Sequence, residues 1–291
     1  MKIGLIMPRS ESGRKSLVMP EVVRLLTEYG VEVEIICPED RLNHLCQLRP
    51  VHDLYVLKDT GEMGLGLAGI LHAAGAVIIN PYPASVILRD KIASTGILKA
   101  AQLPVPETYV TAELRQLAPL LRDGPLVVKP YRGSDGAGVR VVNHESELVD
   151  PSSRRAPFFA QRYRKPDGLD HKLYVIDGQV FGVLRKWPAE TYEEKLGSPL
   201  TVTPALRNYA LRCGEAFGVR ILGLDIVMSK GEPYIVDVQS FPGFKGVPDA
   251  ALRLADYIYH VGLESVTEKS ETGSLRRRPE SRLAVSGALP V

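Results

Sequence analysis

Residues 222–228 (Leu-Gly-Leu-Asp-Ile-Val-Met) and 234–239 (Tyr-Ile-Val-Asp-Val-Gln) read as apolar strands, each with one acid inside. Lys230-Gly231-Glu232 supplies the turn between them. Pairing through that turn lays Asp225 beside Asp237, and the two-residue period of a strand puts Gln239 on the face of Asp237. Two carboxylates in a core sheet repel each other and are costly to desolvate. A divalent cation resolves the conflict. Oxygen donors without Cys or His suit Mg2+, or Mn2+, and such an ion also takes phosphate oxygens. The alternative is a carboxylate pair bonded to arginine or backbone.

The N-terminal third has a different grammar. Residues 2–7, 31–37, 53–58 and 76–80 read as strands, with helices over 19–29 and 65–74, each stopped by glycine. Strand–helix alternation with short connections predicts a parallel sheet covered by helices, so residues 1–82 form one α/β lobe. A helix over 84–101 follows, then a linker at Pro104 and Pro106. Beyond it the strands at 126–130 and 139–142 read as an antiparallel hairpin, with further strands at 158–163, 172–176 and 179–185. Helices are expected over 206–218 and 250–261. From about 263 the chain turns to Ser, Thr, Glu, Lys, Arg and Gly, which predicts a disordered tail over 263–291.

Composition narrows the function classes. Lys and Arg total 36 against 34 Asp and Glu, a balance that does not call for nucleic acid. No apolar run reaches the ~20 residues of a membrane span, and the N-terminus lacks signal-peptide features. The expectation is a soluble cytoplasmic protein acting on a small molecule. Cys37, Cys46 and Cys213 lie far apart, with no metal-ligand spacing.

Cations and glycines sit together around residue 130. Lys129 ends the apolar strand 126–130, and Gly133, Ser134, Gly136 and Gly138 follow in a loop. Glycines let backbone N–H groups approach an anion, and a lysine beneath them suits phosphate oxygens. The loop matches neither a Walker loop nor a dinucleotide fingerprint, since a strand rather than a helix follows. Alone it reads equally as a hairpin loop, and Lys91 or Lys129 alone as a surface lysine.

The ordered set resembles the ATP-grasp superfamily. It comprises Lys91 after an α/β lobe, Val128-Lys129-Pro130 with its glycine loop, Gln161-Arg162-Tyr163, Asp225, and Asp237-Val238-Gln239 leading into Phe241-Pro242-Gly243. The nearest branches are the RimK-type carboxylate–amine ligases and the inositol-phosphate kinases of the same fold. The resemblance spans residues 1–262 and implies an α/β pre-grasp lobe (1–82), a central α+β lobe (83–160) and a C-terminal grasp lobe (161–262), with ATP between the last two.

By position, the resemblance implies that Lys91 and Lys129 hold ATP phosphates under the loop 133–138. Gln161, Arg162 and Tyr163 form the interlobe stretch whose backbone and Gln161 side chain read adenine. Asp225, Asp237 and Gln239 hold Mg2+, and Lys172 and Arg185 stabilise charge on the transferred group. Arg9, Lys15, Lys58 and Gly243 are the candidate substrate residues. A homo-oligomer is common in such families. Ligases usually carry Glu-x-Asn where this chain has Asp237-x-Gln239, and the kinases carry Asp-x-Asn. His171-Lys172-Leu173-Tyr174-Val175 and Phe241-Pro242-Gly243-Phe244 also lean toward the kinases. The expectation is an ATP-dependent carboxylate–amine ligase working through an acyl phosphate. A kinase acting on a polyol or inositol-phosphate hydroxyl is the alternative, and a non-catalytic nucleotide-binding protein the second.

Overall fold

The computed structural model describes residues 1–9, 18–133, 138–149, 157–189 and 191–275. Strands β1 (Lys2–Ile6), β2 (Glu32–Ile36), β3 (Leu54–Leu57) and β4 (Ile78–Ile79) form a parallel sheet in the order β2-β1-β3-β4. Helices α1 (Val18–Glu28) and α2 (Glu62–Ala73) make the crossovers. Every residue of β3 is buried, as expected of a short parallel strand covered on both faces.

The expected helix over 84–101 is two helices, α3 (Tyr82–Arg89) and α4 (Lys91–Ala100). Asp90 breaks the run. Its Oδ1 accepts from the backbone N–H groups of Ile92 and Ala93 at 2.9 and 3.1 Å, which caps α4 and excludes a continuous helix. The break leaves the Lys91 N–H free to donate to the Tyr131 carbonyl at 3.1 Å, seating α4 against the loop that follows β6.

A second sheet is antiparallel, in the order β5-β8-β6-β7: β5 (Thr108–Thr111), β6 (Leu126–Pro130), β7 (Arg140–Val142) and β8 (Phe158–Arg162). Strand β5 was hidden behind the proline linker. It forms because β8 pairs with it, Thr108 opposite Gln161. Strand β8 carries this sheet to Arg162, past the expected lobe boundary at 160, since Gln161 and Arg162 pair with Val127 and Leu126.

The third sheet has the order β11-β10-β9-β12-β13. Its strands are β9 (Asp170–Ile176), β10 (Gln179–Arg185), β11 (Ser198–Leu200), β12 (Ile221–Ser229) and β13 (Glu232–Ser240). The short helix α5 (Tyr192–Leu196) precedes β11, and α6 (Pro204–Phe217) follows it. At the β9–β10 turn, Asp177 and Gly178 both have positive φ (48° and 77°), the geometry a two-residue hairpin needs.

The expected tail is corrected by helix α7 (Ala250–Leu275), which carries residues 263–275 that composition had assigned to disorder. Residues 276–291 lie outside the described region. The polar composition conceals a helical period: Leu254, Ile258, Val261 and Ser265 return to one side. Ser265 is buried, and its hydroxyl donates to the Asp53 carbonyl at 2.7 Å. Tyr29 of the α1 end donates to Asp256 at 2.8 Å. One apolar cluster therefore joins β1, β3, α1 and α7 to Tyr174 of the third sheet and to Phe241 and Phe244 just after it. Leu254 is fully buried in this cluster, so Leu254→Ala should cost about 2–5 kcal/mol in urea unfolding.

Candidate active site

The register of β12 and β13 pairs Asp225 with Asp237, as the hairpin argument requires. The ladder shifts by one residue just beyond, where Ile226 pairs with Ile235, leaving Val236 as a bulge. The bulge matters because the Val236 carbonyl accepts from Lys129 Nζ at 2.7 Å across the gap between the two antiparallel sheets. Lys129 is 7% exposed and lies over the Phe159 ring. Burial pushes its ammonium down to about 8, with nearby Lys91 acting the same way and Asp237 opposing.

On the neighbouring strand, Lys172 pairs in register with Asp225. Its ammonium, 2% exposed as a residue, donates to Asp225 Oδ2 at 2.9 Å and to Gln239 Oε1 at 3.1 Å. Arg185 Nη2 donates to Asp225 Oδ1 at 3.1 Å. Burial pushes the Asp225 carboxyl up, but the charges of Lys172 and Arg185 win and hold it below the usual carboxylate range. Asp237, about as exposed as Asp225, has Lys91 Nζ 3.4 Å from its Oδ1. The same ammonium donates to the Gly133 carbonyl at 3.1 Å.

The donor set fits a hard divalent cation. Gln239 Nε2 stands 3.4 Å from Asp225 Oδ2 and 3.3 Å from Asp237 Oδ2, so an amide donor occupies the space between the two carboxylates. That is where an ion neutralising both would sit. Rotating the amide would present Oε1 instead, completing an all-oxygen set. Among the described residues no cluster of three or more His, Cys, Asp or Glu competes for the role.

Between the first lobe and β13 lies a cavity of about 190 Å³. It is lined by Lys58, Thr60, Arg89, Lys91, Gly133, Asp237 and residues 238–243, among others. Its floor is the turn Phe241-Pro242-Gly243-Phe244. Phe241 and Phe244 adopt positive φ (44° and 51°), a conformation costing about 1–2 kcal/mol per residue. Both rings are buried edge-on at 6.0 Å and anchor the turn. A Cβ on Gly223 would lie 3.0 Å from the Pro242 ring, so glycine there lets the turn settle onto the sheet beside Lys172. Lys58 Nζ donates to the Phe241 carbonyl at 2.6 Å and to that of Pro242 at 3.3 Å, tying the first lobe to this floor.

The other candidates divide. Gly243 lines the cavity with Lys58. Arg9 is instead paired with Asp40 at 2.6 Å in an exposed contact and does not line it. Gly138 has φ 75°, and a Cβ there would lie 3.0 Å from the Pro130 ring. Lys15, Ser134 and Gly136 lie outside the described residues.

The interlobe stretch is tied into the fold by its own bonds. The Arg162 guanidinium donates to the Leu120 and Gly124 carbonyls at 3.0 and 2.7 Å, which fastens the 3-10 segment before β6. The backbone N–H groups of Arg162 and Tyr163 go to Glu107 and Pro125. Gln161 Nε2 reaches Thr108 Oγ1 at 3.3 Å. The cleft beside Gln161 has a volume of about 10 Å³, room for one water, so a base enters only if the two sheets part.

Three residues escaped the sequence reading. Asp170 pairs with Arg185 and lies two residues from Lys172 on the same strand face. Burial, with Asp225 adding to it and Arg185 opposing, pushes its carboxyl up to about 6. Arg164 stacks on Tyr234 with its buried Nε lacking a hydrogen bond, an unmet donor at the crossing between the sheets. Arg89 lines the cavity. The two-residue spacing Asp170-x-Lys172 was a legible signal; Arg89 and Arg164 offered none beyond their charge.

A family model for the RimK-like ATP-grasp domain matches residues 88–258, more than half of the chain. The protein belongs to the RimK-like ATP-grasp family. A curated relative, a probable alpha-L-glutamate ligase of Chromohalobacter salexigens, is 29% identical over 200 residues. The match covers 62% of this chain and 66% of that protein, just under two thirds of its length. The crystal structure of a RimK-domain ATP-grasp protein from Sphaerobacter thermophilus superposes with TM-score 0.70 at 19% identity, covering 89% of this chain and all of that one. The D-alanine–D-alanine ligase of Bacillus anthracis, solved with ATP, gives 0.69 at 23% identity over 92% of this chain and 99% of its own. At these identities the structural likeness speaks for the ATP-grasp fold, with its parallel first sheet and two antiparallel sheets. No helix among the described residues is long and apolar enough to cross a membrane.

Proposed function

We propose that the protein is an ATP-dependent carboxylate–amine ligase acting on small molecules, with ATP and Mg2+ as its cofactors and the cytoplasm as its setting. The observation carrying this reading is the convergence between two antiparallel sheets of Lys91, Lys129, Lys172 and Arg185 on the oxygen donors Asp225, Asp237 and Gln239. In the proposed reaction a carboxylate takes the terminal phosphoryl group of ATP, leaving ADP. An amine then attacks the acyl phosphate, forming an amide and expelling phosphate. Nothing in this sequence asks for a nucleophilic side chain. The protein contributes position and charge.

Bound at Asp225, Asp237 and Gln239, Mg2+ would neutralise phosphate oxygens. Lys91 and Lys129 would flank the phosphates from the side of β6. Lys172 and Arg185, held by Asp225, would face the transferred group. The interlobe residues 161–164 would border the base once the sheets open, and substrate would occupy the cavity by Lys58 and Gly243.

The decisive assay mixes the chain with ATP, Mg2+, and panels of carboxylates, amines and polyol phosphates. L-glutamate heads the amines because relatives carry the alpha-L-glutamate ligase name. Release of ADP and phosphate that requires both acid and amine supports the ligase. A phosphorylated alcohol formed without free phosphate replaces it with a kinase. Absence of ATP binding at millimolar Mg2+ overturns both.

Lys129 adds a pH signature. Free Lys129 loses its proton around pH 8, well below the usual lysine value of 10.5, and bound phosphate would favour the ammonium. ATP binding at pH 8–9 should therefore take up a proton, whereas at pH 6.5 the lysine is already charged. The binding enthalpy should depend on the ionisation enthalpy of the buffer at the higher pH and not at the lower. Lys129→Met should remove that dependence.

A further inference from the structure

Arg89 closes α3 two residues before Lys91 and lines the cavity together with Lys58, Thr60 and Gly243. The other cations there are committed. Lys91 engages Asp237 and Gly133, and Lys58 grips the carbonyls of the floor turn. Arg89, half-buried, has no hydrogen bond or ion pair to any described residue.

Its position falls on the first-lobe side. The buried carboxyl of Asp59, next to Lys58 and Thr60, is pushed up by burial and drawn back partly by the Arg89 charge, yet the two are beyond ion-pair distance. Asp59 Oδ1 is spent on the Gly61 N–H at 2.7 Å. A half-buried guanidinium with no partner among the described residues can take a ligand carboxylate through two parallel hydrogen bonds. At about 190 Å³ the cavity is smaller than the ~300–1,000 Å³ of a whole ligand pocket, a size suited to the end group of a substrate.

We infer that Arg89 is a specificity residue that binds a carboxylate of the substrate distinct from the group that reacts, so the substrate seated in this cavity is an acid at its non-reacting end. This rests on the ligase reading for the direction in which the substrate faces, since the phosphates would lie toward Lys91 and Lys129. Arg89 is not placed on the nucleotide.

The test measures binding of acid and carboxamide pairs, L-glutamate with L-isoglutamine and succinate with succinamate. The full chain is titrated with Mg2+ and a non-hydrolysable ATP analogue present, and again without nucleotide. At least one acid should outbind its carboxamide by about tenfold, Arg89→Met should erase that preference, and Arg89→Lys should restore only part of it, because lysine lacks the planar fork. Analogue affinity should stay within about threefold in both variants if Arg89 serves only the second substrate. The inference is overturned if no acid outbinds its carboxamide, or if Arg89→Met keeps the preference. It is also overturned if inorganic phosphate binds more tightly than every acid, which would favour a phosphorylated acceptor. Acid selectivity lost in Arg89→Met without any analogue binding by the wild type would sink the ligase reading and leave Arg89's role standing.

Discussion

Asp225→Ala is expected to abolish ATP turnover and destabilise the protein together. Asp225 holds Lys172 Nζ at 2.9 Å and Arg185 Nη2 at 3.1 Å, and Lys172 is almost wholly buried. Removing the carboxylate leaves a buried ammonium with only the Gln239 amide oxygen. Breaking one partner of a buried pair costs about 3–5 kcal/mol. Turnover should fall about 10²–10³-fold or more, the scale for losing a preorganised charge contact. Urea unfolding and phosphate release read the two effects. The double variant Asp225→Ala/Lys172→Met separates them: removing both charges should recover most of the stability and none of the turnover. Acid titration gives the sign independently. The folded pKa of Asp225 is depressed below 3.8, so the stability it supplies is present above that value and lost as pH falls through the folded pKa. Asp225→Ala should therefore flatten the loss of stability below about pH 4.

Asp237→Ala should lose turnover by a similar factor while folding normally. The two acids face each other in register, but their surroundings differ. Asp237 opens onto the cavity, and its cation, Lys91, keeps the Gly133 carbonyl when the acid is gone. The change in unfolding free energy should stay within about 1 kcal/mol, as for a partly exposed ion pair. Residual activity should need far more Mg2+, because one of two charged oxygen donors has been removed. A wild-type Mg2+ dependence in Asp237→Ala would remove this residue from the metal site. Partial turnover in Asp237→Glu would assign the role to the carboxylate and its reach.

Much of the fold was legible because it is written in local patterns. Apolar strands bounded by glycine turns and the β12–β13 hairpin follow from spacing of two and from residues that permit turns. The breaks in that legibility are equally physical. Asp90 is one polar residue inside a helical pattern, and only its capping bonds reveal that it ends one helix and starts another. Arg162 stands in the interlobe stretch by sequence, and only the tertiary structure shows that carbonyls about forty residues earlier in the chain take its guanidinium. The run 263–275 looked unstructured because its composition is rich in Ser, Thr and Glu, and the buried serine facing Asp53 carries no apolar signal.

By itself, the amino-acid order determined that two acids and an amide share one face of a hairpin, that a lysine ends a strand before a glycine loop, and that an α/β lobe precedes them. Those are statements about neighbours within a few residues, set by backbone period and turn chemistry. The tertiary structure alone decided which groups meet. Lys172 comes to Asp225 across 53 positions, Lys129 to Val236 across 107, and Lys58 to Phe241 across 183. Packing of the three sheets against one another selects those partners, because the energy of a buried charge depends on what surrounds it in space, and sequence spacing does not encode that surrounding.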